Sequence, residues 1–261
     1  MGVGRARCVN SVTSRSLPFK NDLSADSFLS HRLAHLHKPM MDDYDMEDAS
    51  FDVDMKTPIH PEVAPPSARD IVKNGNSVLI VTVFDDHTST PDNVRAFLAR
   101  WPPSITPVQY CNWIALDRGG HRPSTPDIAG LSISFEALKA SGNVTVSEID
   151  RIAHAHCVLS GKWLVYADPP QVDALWARIV SMVCFRLGRG SLKVSPRQEG
   201  EVHVICVYVD DYTDETQVGV LREALREAGV VWRIGFKPDA YTHLGIYKKN
   251  PWNIRPSLYH N

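Results

Sequence analysis

The 261-residue sequence has no apolar run long enough to span a membrane, and its few cysteines are scattered. A transmembrane helix needs about 18 or more consecutive apolar residues, whereas the longest runs here, such as residues 77–84, have the length of a strand. The five cysteines form no Cys-x-x-Cys or Cys-x-Cys pair, so they predict neither a zinc site nor a disulfide framework. We therefore expect reduced thiols, no membrane partner and no metal.

The common catalytic and cofactor motifs are also missing from the sequence. The glycine-bearing stretch 188–191 lacks the spacing of a phosphate-binding loop, and there is no Gly-x-Ser-x-Gly elbow. The acidic residues 210–215 are explained by the start of a helix, where carboxylates are favoured. His154 and His156 are read as structural histidines because no third metal ligand accompanies them. We predict no catalytic residues and no cofactor, and we favour a protein that is not an enzyme.

Strong charge of either sign is absent as well. The formal net charge is −2, and residues 76–261 carry nineteen basic and nineteen acidic side chains. A balanced domain argues against indiscriminate nucleic-acid binding and leaves only local basic patches as electrostatic partners for a ligand.

Residues 1–74 have the composition of a disordered tail. Seven acids and no base lie between residues 42 and 54, and four prolines follow within 57–66. Such a segment buries too little apolar area to offset its ordering entropy; it is either a solvated tail or a segment that binds a protein partner. The first twenty residues are basic but lack an apolar face, so we expect the cytoplasm, with the nucleus as an alternative, rather than an organelle.

Residues 75–261 are predicted to form a single α+β domain. Strands and helices alternate, but several strands are short and hairpin-like, which disfavours a doubly wound sheet. Periodicity and capping signals predict strands at 78–84, 112–116, 162–167, 202–209, 230–236 and 244–247. They predict helices at 91–101, 131–140, 145–155, 169–187 and 215–228.

Several motifs in this domain resemble one known family. The most specific is Lys-Pro-Asp-Ala-Tyr-Thr-His-Leu-Gly-Ile-Tyr at 237–247. Further matching segments are 90–104, 156–164, 193–196, 204–214 and 256–259. As a set they resemble the basophilic-leukaemia-expressed protein family, which has a fold like that of translation initiation factor 4E. The resemblance implies a curved antiparallel sheet with helices on its convex face, and it implies no activity.

The cap-binding chemistry of that translation factor does not carry over to this sequence. The factor holds a methylated guanine between two tryptophans, since a cationic base gains stacking and cation–π energy there. Residues 114–162 contain no tryptophan, and His154 and His156 stand where the second stacking residue and its acid are expected. Arg197 matches a phosphate ligand, but Cys206 replaces a tryptophan. We expect the cap clamp to be absent.

Basic and aromatic residues are mixed near the C-terminus, which suits stacking on bases together with phosphate contacts. This mixture predicts a non-enzymatic module that binds RNA or a nucleotide. The candidate ligand-binding residues are Lys193, Arg197, Lys237, Asp239, Tyr241, Trp252 and Arg255.

Three alternatives to this ligand-binding role stay open. The C-terminal aromatics could pack on the sheet as structural groups. The chain could be an adaptor that binds a protein through its convex helices or its tail. It could also be an enzyme on a phosphorylated small molecule, with Lys193, Lys237 and Asp239 as the polar groups.

Overall fold

A computed structural model describes residues 63–74, 77–120 and 125–261. Within these ranges there are eight strands, six α-helices and one π-helical segment, Met182–Leu187. The strands are β1 Ile71–Asn74, β2 Ser77–Val83, β3 Trp113–Asp117, β4 Gly161–Ala167, β5 Ser191–Val194, β6 His203–Val209, β7 Gly235–Pro238 and β8 Tyr259–His260. The helices are α1 Pro91–Arg100, α2 Ile128–Ser141, α3 Val146–Ala155, α4 Pro169–Ser181, α5 Glu215–Glu227 and α6 Asp239–His243.

All eight strands form one mixed sheet in the order β1-β2-β3-β5-β6-β4-β7-β8. The predicted α+β class is confirmed, but the expectation of a purely antiparallel sheet is wrong, because β2 and β3 run parallel with Leu79 opposite Trp113. Helix α1 lies between these two strands in the chain and returns it to the same end of the sheet, which is the connection that parallel neighbours require. The other paired strands are antiparallel.

Side-chain caps begin the helices where the sequence predicts. The Thr90 side chain accepts a hydrogen bond from the backbone N–H of Asn93, and Pro91 occupies the first helical position. The Asp214 side chain likewise accepts from the N–H groups of Thr216 and Gln217. At α3 the cap is Thr145, the residue directly before the helix, whose side chain accepts from the Glu148 N–H.

The predicted strand 244–247 and the first part of the predicted strand 230–236 are instead the ends of helices. Val230 donates its N–H to the Leu225 carbonyl at 2.9 Å after α5, and Ile246 donates to the Tyr241 carbonyl at 2.8 Å after α6. Each follows a glycine with positive φ, as in the Schellman motif that closes helices. The apolar residues at 230–234 and 244–247 therefore cover helix termini, and β7 begins only at Gly235.

The sequence prediction also missed the first strand. Ile71–Asn74, within the segment predicted to be tail, form β1 at the sheet edge and pair with β2. Val63 is buried in the same core as the helices. The rest of the predicted tail, residues 1–62, lies outside the described residues.

The helices pack on one face of the sheet. Along β4, Trp163 and Val165 belong to the large core that contains buried side chains from the helices. Leu164 points to the opposite face, where the buried apolar cluster is made of strand residues. This alternation is the period-2 pattern of a strand, and it leaves the second face available to polar side chains. In the described ranges no helix is long and apolar enough to cross a membrane.

One buried arginine joins α5 to the end of the chain. The Arg222 guanidinium donates to the carbonyls of Val230 and Trp232 at 2.8 Å each, and to that of Asn261 at 3.1 Å. Arg222 is buried, and the planar fork of a guanidinium reaches three acceptors that an ammonium cannot reach together.

We expect Arg222→Lys to lower the free energy of unfolding by about 3 kcal/mol, because at least one buried carbonyl loses its donor. Urea unfolding of the purified chain measures this. Arg95→Lys is the matched control, since Arg95 forms an exposed pair with Asp92 and its replacement should change the stability by less than about 0.5 kcal/mol. Equal effects of the two substitutions would contradict the role of Arg222.

Candidate functional site

Three lysines lie on the face of the sheet opposite the helix-covered apolar core. Lys162 on β4 is paired with Tyr208 on one side and with Lys237 on the other, and Lys193 on β5 is paired with Cys206. Residues directly opposite one another point to the same face. Lys162, Lys193 and Lys237 are 6%, 2% and 3% exposed, although lysine is almost never fully buried unless it is paired.

Lys162 has a carboxylate partner. The Lys162 ammonium donates to the Asp239 carboxylate at 2.5 Å and to the Thr242 hydroxyl at 3.0 Å. Asp239 begins α6 and is fully buried; its carboxylate also accepts from the Ser160 hydroxyl at 2.6 Å. The α6 residues therefore supply both acceptors for Lys162.

Aromatic rings surround the ammonium groups. The Lys193 ammonium lies 3.8 Å from the centre of the Trp113 ring, and that of Lys237 lies 3.6 Å from the centre of the Tyr247 ring. Lys162 and Lys193 are each 5.9 Å from the Tyr208 ring. Distances within about 6 Å allow cation–π attraction. We call this set the buried lysine cluster: Lys162, Lys193, Lys237 and Asp239, with Trp113, Tyr208 and Tyr247.

The cluster is rich in donors and cations. Burial, together with the like charge of Lys162, lowers the pKa of Lys193 from 10.5 to about 7, although Cys206 and the Asp239 carboxylate act in the opposite direction. Burial also raises the pKa of the Cys206 thiol and of the Tyr208 phenol, so both stay neutral. The Tyr208 hydroxyl and the Trp113 indole N–H are buried without a hydrogen-bond partner in the described part of the chain.

We expect Lys193 to make the stability of the protein rise with pH from about 7, its pKa in the fold. The rise should end near pH 9, because burial raises the pKa of the Cys111, Cys184 and Cys206 thiols above 9.0 and these groups oppose the trend there. In that interval the unfolded lysine binds a proton that the folded one does not, so unfolding becomes less favourable as the pH increases. Below pH 7 the cost of burying the ammonium is fully present. Urea unfolding at a series of pH values, in buffer without phosphate, measures the slope.

Lys193→Met should remove most of this slope and should stabilise the protein at pH 6. The exposed Lys73→Met is the control and should leave the slope unchanged. A slope that survives in Lys193→Met would show that Lys193 keeps its ordinary pKa in the fold.

The candidate residues from the sequence lie in different places. Lys193, Lys237 and Asp239 meet in the buried lysine cluster. Arg197 and Arg255 are exposed.

Two aromatic candidates lie on the helical side of the sheet. Tyr241 is buried in the helix-covered core. Trp252 packs edge-on against Phe135 of α2, with ring centres 5.1 Å apart.

Sequence reasoning did not select Lys162, Trp113 or Tyr208 as ligand-binding residues. A usable signal was present, because Lys162 and Lys193 are charged residues inside strands whose other members are almost all buried and apolar. The order of the strands in the sheet decides which lysines lie close together. Strands β5 and β6 follow each other in the sequence, whereas β4 and β7 are neighbours in the sheet although they are far apart in the sequence.

Known proteins resemble this chain in two ways. The family model described as "Basophilic leukemia-expressed protein Bles03" matches residues 124–245, which confirms the resemblance drawn from the motifs. A solved structure, "Crystal structure of Schistsome eIF4E complexed with m7GpppA and 4E-BP", is 19% identical with a TM-score of 0.30. That match covers 39% of this chain and 58% of the schistosome chain.

Proposed function

From the match of residues 124–245 to the Bles03 family model, we propose that the chain is a module that binds a nucleotide or the phosphate-bearing end of single-stranded RNA. The proposed ligand site is the buried lysine cluster. One observation carries the proposal: the Lys193 ammonium is buried against the rings of Trp113 and Tyr208 and forms no ion pair among the described residues.

The physical reason is the cost of burying charge. An ammonium group taken from water is stable only when it is paired or hydrogen-bonded, and Asp239 already accepts from Lys162. A phosphate group would supply the missing negative charge and acceptor oxygens. The unsatisfied donors of Tyr208 and Trp113 suit the same ligand, since both can donate to phosphate or base oxygens.

The aromatic rings favour a nucleotide over inorganic phosphate alone. Bases stack on aromatic side chains with about 1–3 kcal/mol per base, and Trp113, Tyr208 and Tyr247 all lie beside ammonium groups. The cluster contains one tryptophan, Trp113, whose ring already contacts Lys193, so it provides no two-tryptophan clamp for a methylated cap.

The curvature of the sheet is also part of this proposal. We place the cluster on the concave side of a sheet curved as in translation initiation factor 4E, with the helices on the convex side, and we place the protein in the cytoplasm. The support is the separation of the two faces, since the buried apolar side chains of the helices lie on one face and the lysines lie on the other.

Nucleotides should bind and the corresponding nucleosides should not, because the phosphate makes the main contact with the lysine ammonium groups. Lys193→Met should weaken nucleotide binding at least tenfold, about 1.4 kcal/mol, and should flatten its salt dependence by the loss of one counterion-releasing contact. Isothermal titration with the four nucleoside triphosphates, their nucleosides and a 5′-phosphorylated oligoribonucleotide measures these effects.

Arg255→Met is the control, since Arg255 is exposed and outside the cluster, and its affinity should match that of the wild type. A methylated cap analogue should bind no more than about tenfold better than its unmethylated form, because the two-tryptophan sandwich is missing. Equal affinity for nucleosides and nucleotides would rule out the phosphate contact.

Trp252→Ala should destabilise the protein without weakening nucleotide binding, because Trp252 packs on Phe135 on the helical side. We expect a loss of roughly 2 kcal/mol for this half-buried ring and a drop in melting temperature of about 4–8 °C. Lys237→Met should have the opposite profile, with weaker binding and little change in melting. Calorimetry and titration on both variants test this, and weaker binding in Trp252→Ala would place the ligand on the helical side instead.

A protein adaptor is the second candidate, and exposed apolar residues favour it. Val220 on α5 is 57% exposed, and Val231 and Trp232, which follow that helix, are 76% and 41% exposed. These side chains suit contact with a protein partner on the helical side. If the wild-type protein binds no nucleotide or RNA even at low ionic strength, this candidate replaces the first.

A further inference from the structure

A serine, a histidine and an aspartate are connected by hydrogen bonds at the junction of α2 and α3. The Ser134 hydroxyl lies 2.8 Å from Nε2 of His156, and Nδ1 of the same ring lies 3.1 Å from the Asp127 carboxylate. The three groups are contiguous and stand in the order in which serine hydrolases use them, which is recognised by geometry and not by position in the chain.

The charge of Asp127 determines which ring nitrogen of His156 carries a proton and which accepts a hydrogen bond. Hydrogen bonds from the Gly130 N–H and from His156 lower the pKa of Asp127, so its carboxylate is ionised and can only accept. In the neutral form of the ring, Nδ1 of His156 must therefore carry the proton and donate to Asp127. Nε2 is then a bare acceptor, and the Ser134 hydroxyl donates to it. This is the tautomer that a general base requires.

The helix termini hold these side chains in position. Asp127 is the N-cap of α2 and also accepts from the Gly130 N–H at 2.8 Å, and His156 is the C-cap of α3. A Cβ atom on Gly130 would lie 2.0 Å from the Asp127 carboxylate and 2.4 Å from Nδ1 of His156. Only glycine at this position leaves room for the Asp127–His156 hydrogen bond.

Ser134 differs from the neighbouring serine on the same helix. Ser132 donates its hydroxyl to the Ile128 carbonyl one turn back, which is the usual bond for a serine inside a helix. Ser134 instead bonds to the His156 ring. It is half-buried and the His156 side chain is 20% exposed, so the pair lies at the surface within reach of a dissolved reagent.

We propose that Ser134 is a nucleophile activated by His156, with Asp127 as the positioning residue, and that it accepts an acyl group from a carboxylic ester with a good leaving group. The Ser134 oxygen attacks the ester carbonyl carbon while its proton passes to Nε2 of His156. The bond to the leaving alcohol breaks, and His156 returns the proton to that oxygen. Water then cleaves the Ser134 ester through the same base, so the net reaction is hydrolysis of the ester to an acid and an alcohol.

This site is separate from the buried lysine cluster. The buried residues of α2 and α3, such as Leu131 and Ile152, belong to the helix-covered core, whereas the lysines lie on the other face of the sheet. The acyl-transfer reaction therefore goes beyond the proposed nucleotide binding, and variants at one site should leave the other unchanged.

The test is labelling of the full chain with a fluorophosphonate probe, followed by peptide mass mapping, together with hydrolysis of p-nitrophenyl acetate. We expect the native protein to be labelled at Ser134, and urea-unfolded protein not to be labelled. Ser134→Ala should abolish labelling at this peptide, and His156→Gln should slow it at least tenfold. Ser132→Ala is the matched control and should be labelled at the wild-type rate.

The variants Asp127→Asn and Gly130→Ala test whether these two residues hold the His156 ring in position. Both should reduce the labelling rate, and Asp127→Asn should also change its pH profile, since an amide at position 127 no longer holds the ring in one tautomer. Melting curves identify any variant that is unfolded, and the urea-treated wild type remains an independent comparison. Labelling of Ser134 no faster than that of Ser132 in the native protein, or an unchanged rate in folded His156→Gln, would overturn the proposal.

Discussion

The ion pair between Lys162 and Asp239 is the interaction on which the polar face of the sheet depends. It lies between the central strand β4 and the start of α6, and both side chains are buried. Breaking such a pair by removing one partner costs about 3–5 kcal/mol, because the other charge stays buried and unpaired. The same pair places one negative charge among three lysines, which leaves Lys193 to be satisfied by ring faces.

The two sites obtain their polar groups from the fold in different ways. The lysine cluster uses side chains from strands, so its geometry depends on register, and its cost is the desolvation of ammonium groups. The Ser134–His156–Asp127 array uses helix termini, where Asp127 accepts from the Gly130 N–H of α2 while it orients the histidine ring. We take the buried lysines as the stronger guide to the proposed ligand, because burying an ammonium group costs free energy unless the group is paired.

Much of the fold could be predicted from the sequence, because its signals are local. The caps at Thr90 and Asp214 and the apolar runs of β4 and β6 depend on neighbouring residues alone. The errors also have a local cause. Apolar residues that follow Gly229 and Gly245 cover the ends of helices, and by composition they cannot be told from short buried strands.

The sequence by itself determined the α+β class, most of the elements and the presence of lysines within apolar strands. Only the tertiary structure decided that Lys162, Lys193 and Lys237 share a face, that Trp252 packs against Phe135, and that Ser134 meets His156 and Asp127. The physical reason is that these contacts join residues tens of positions apart in the chain. They depend on the order of the strands and on the packing of the helices. The conformational preferences of neighbouring residues do not determine which distant residues come into contact. That choice depends on the free energy gained when the whole core is buried.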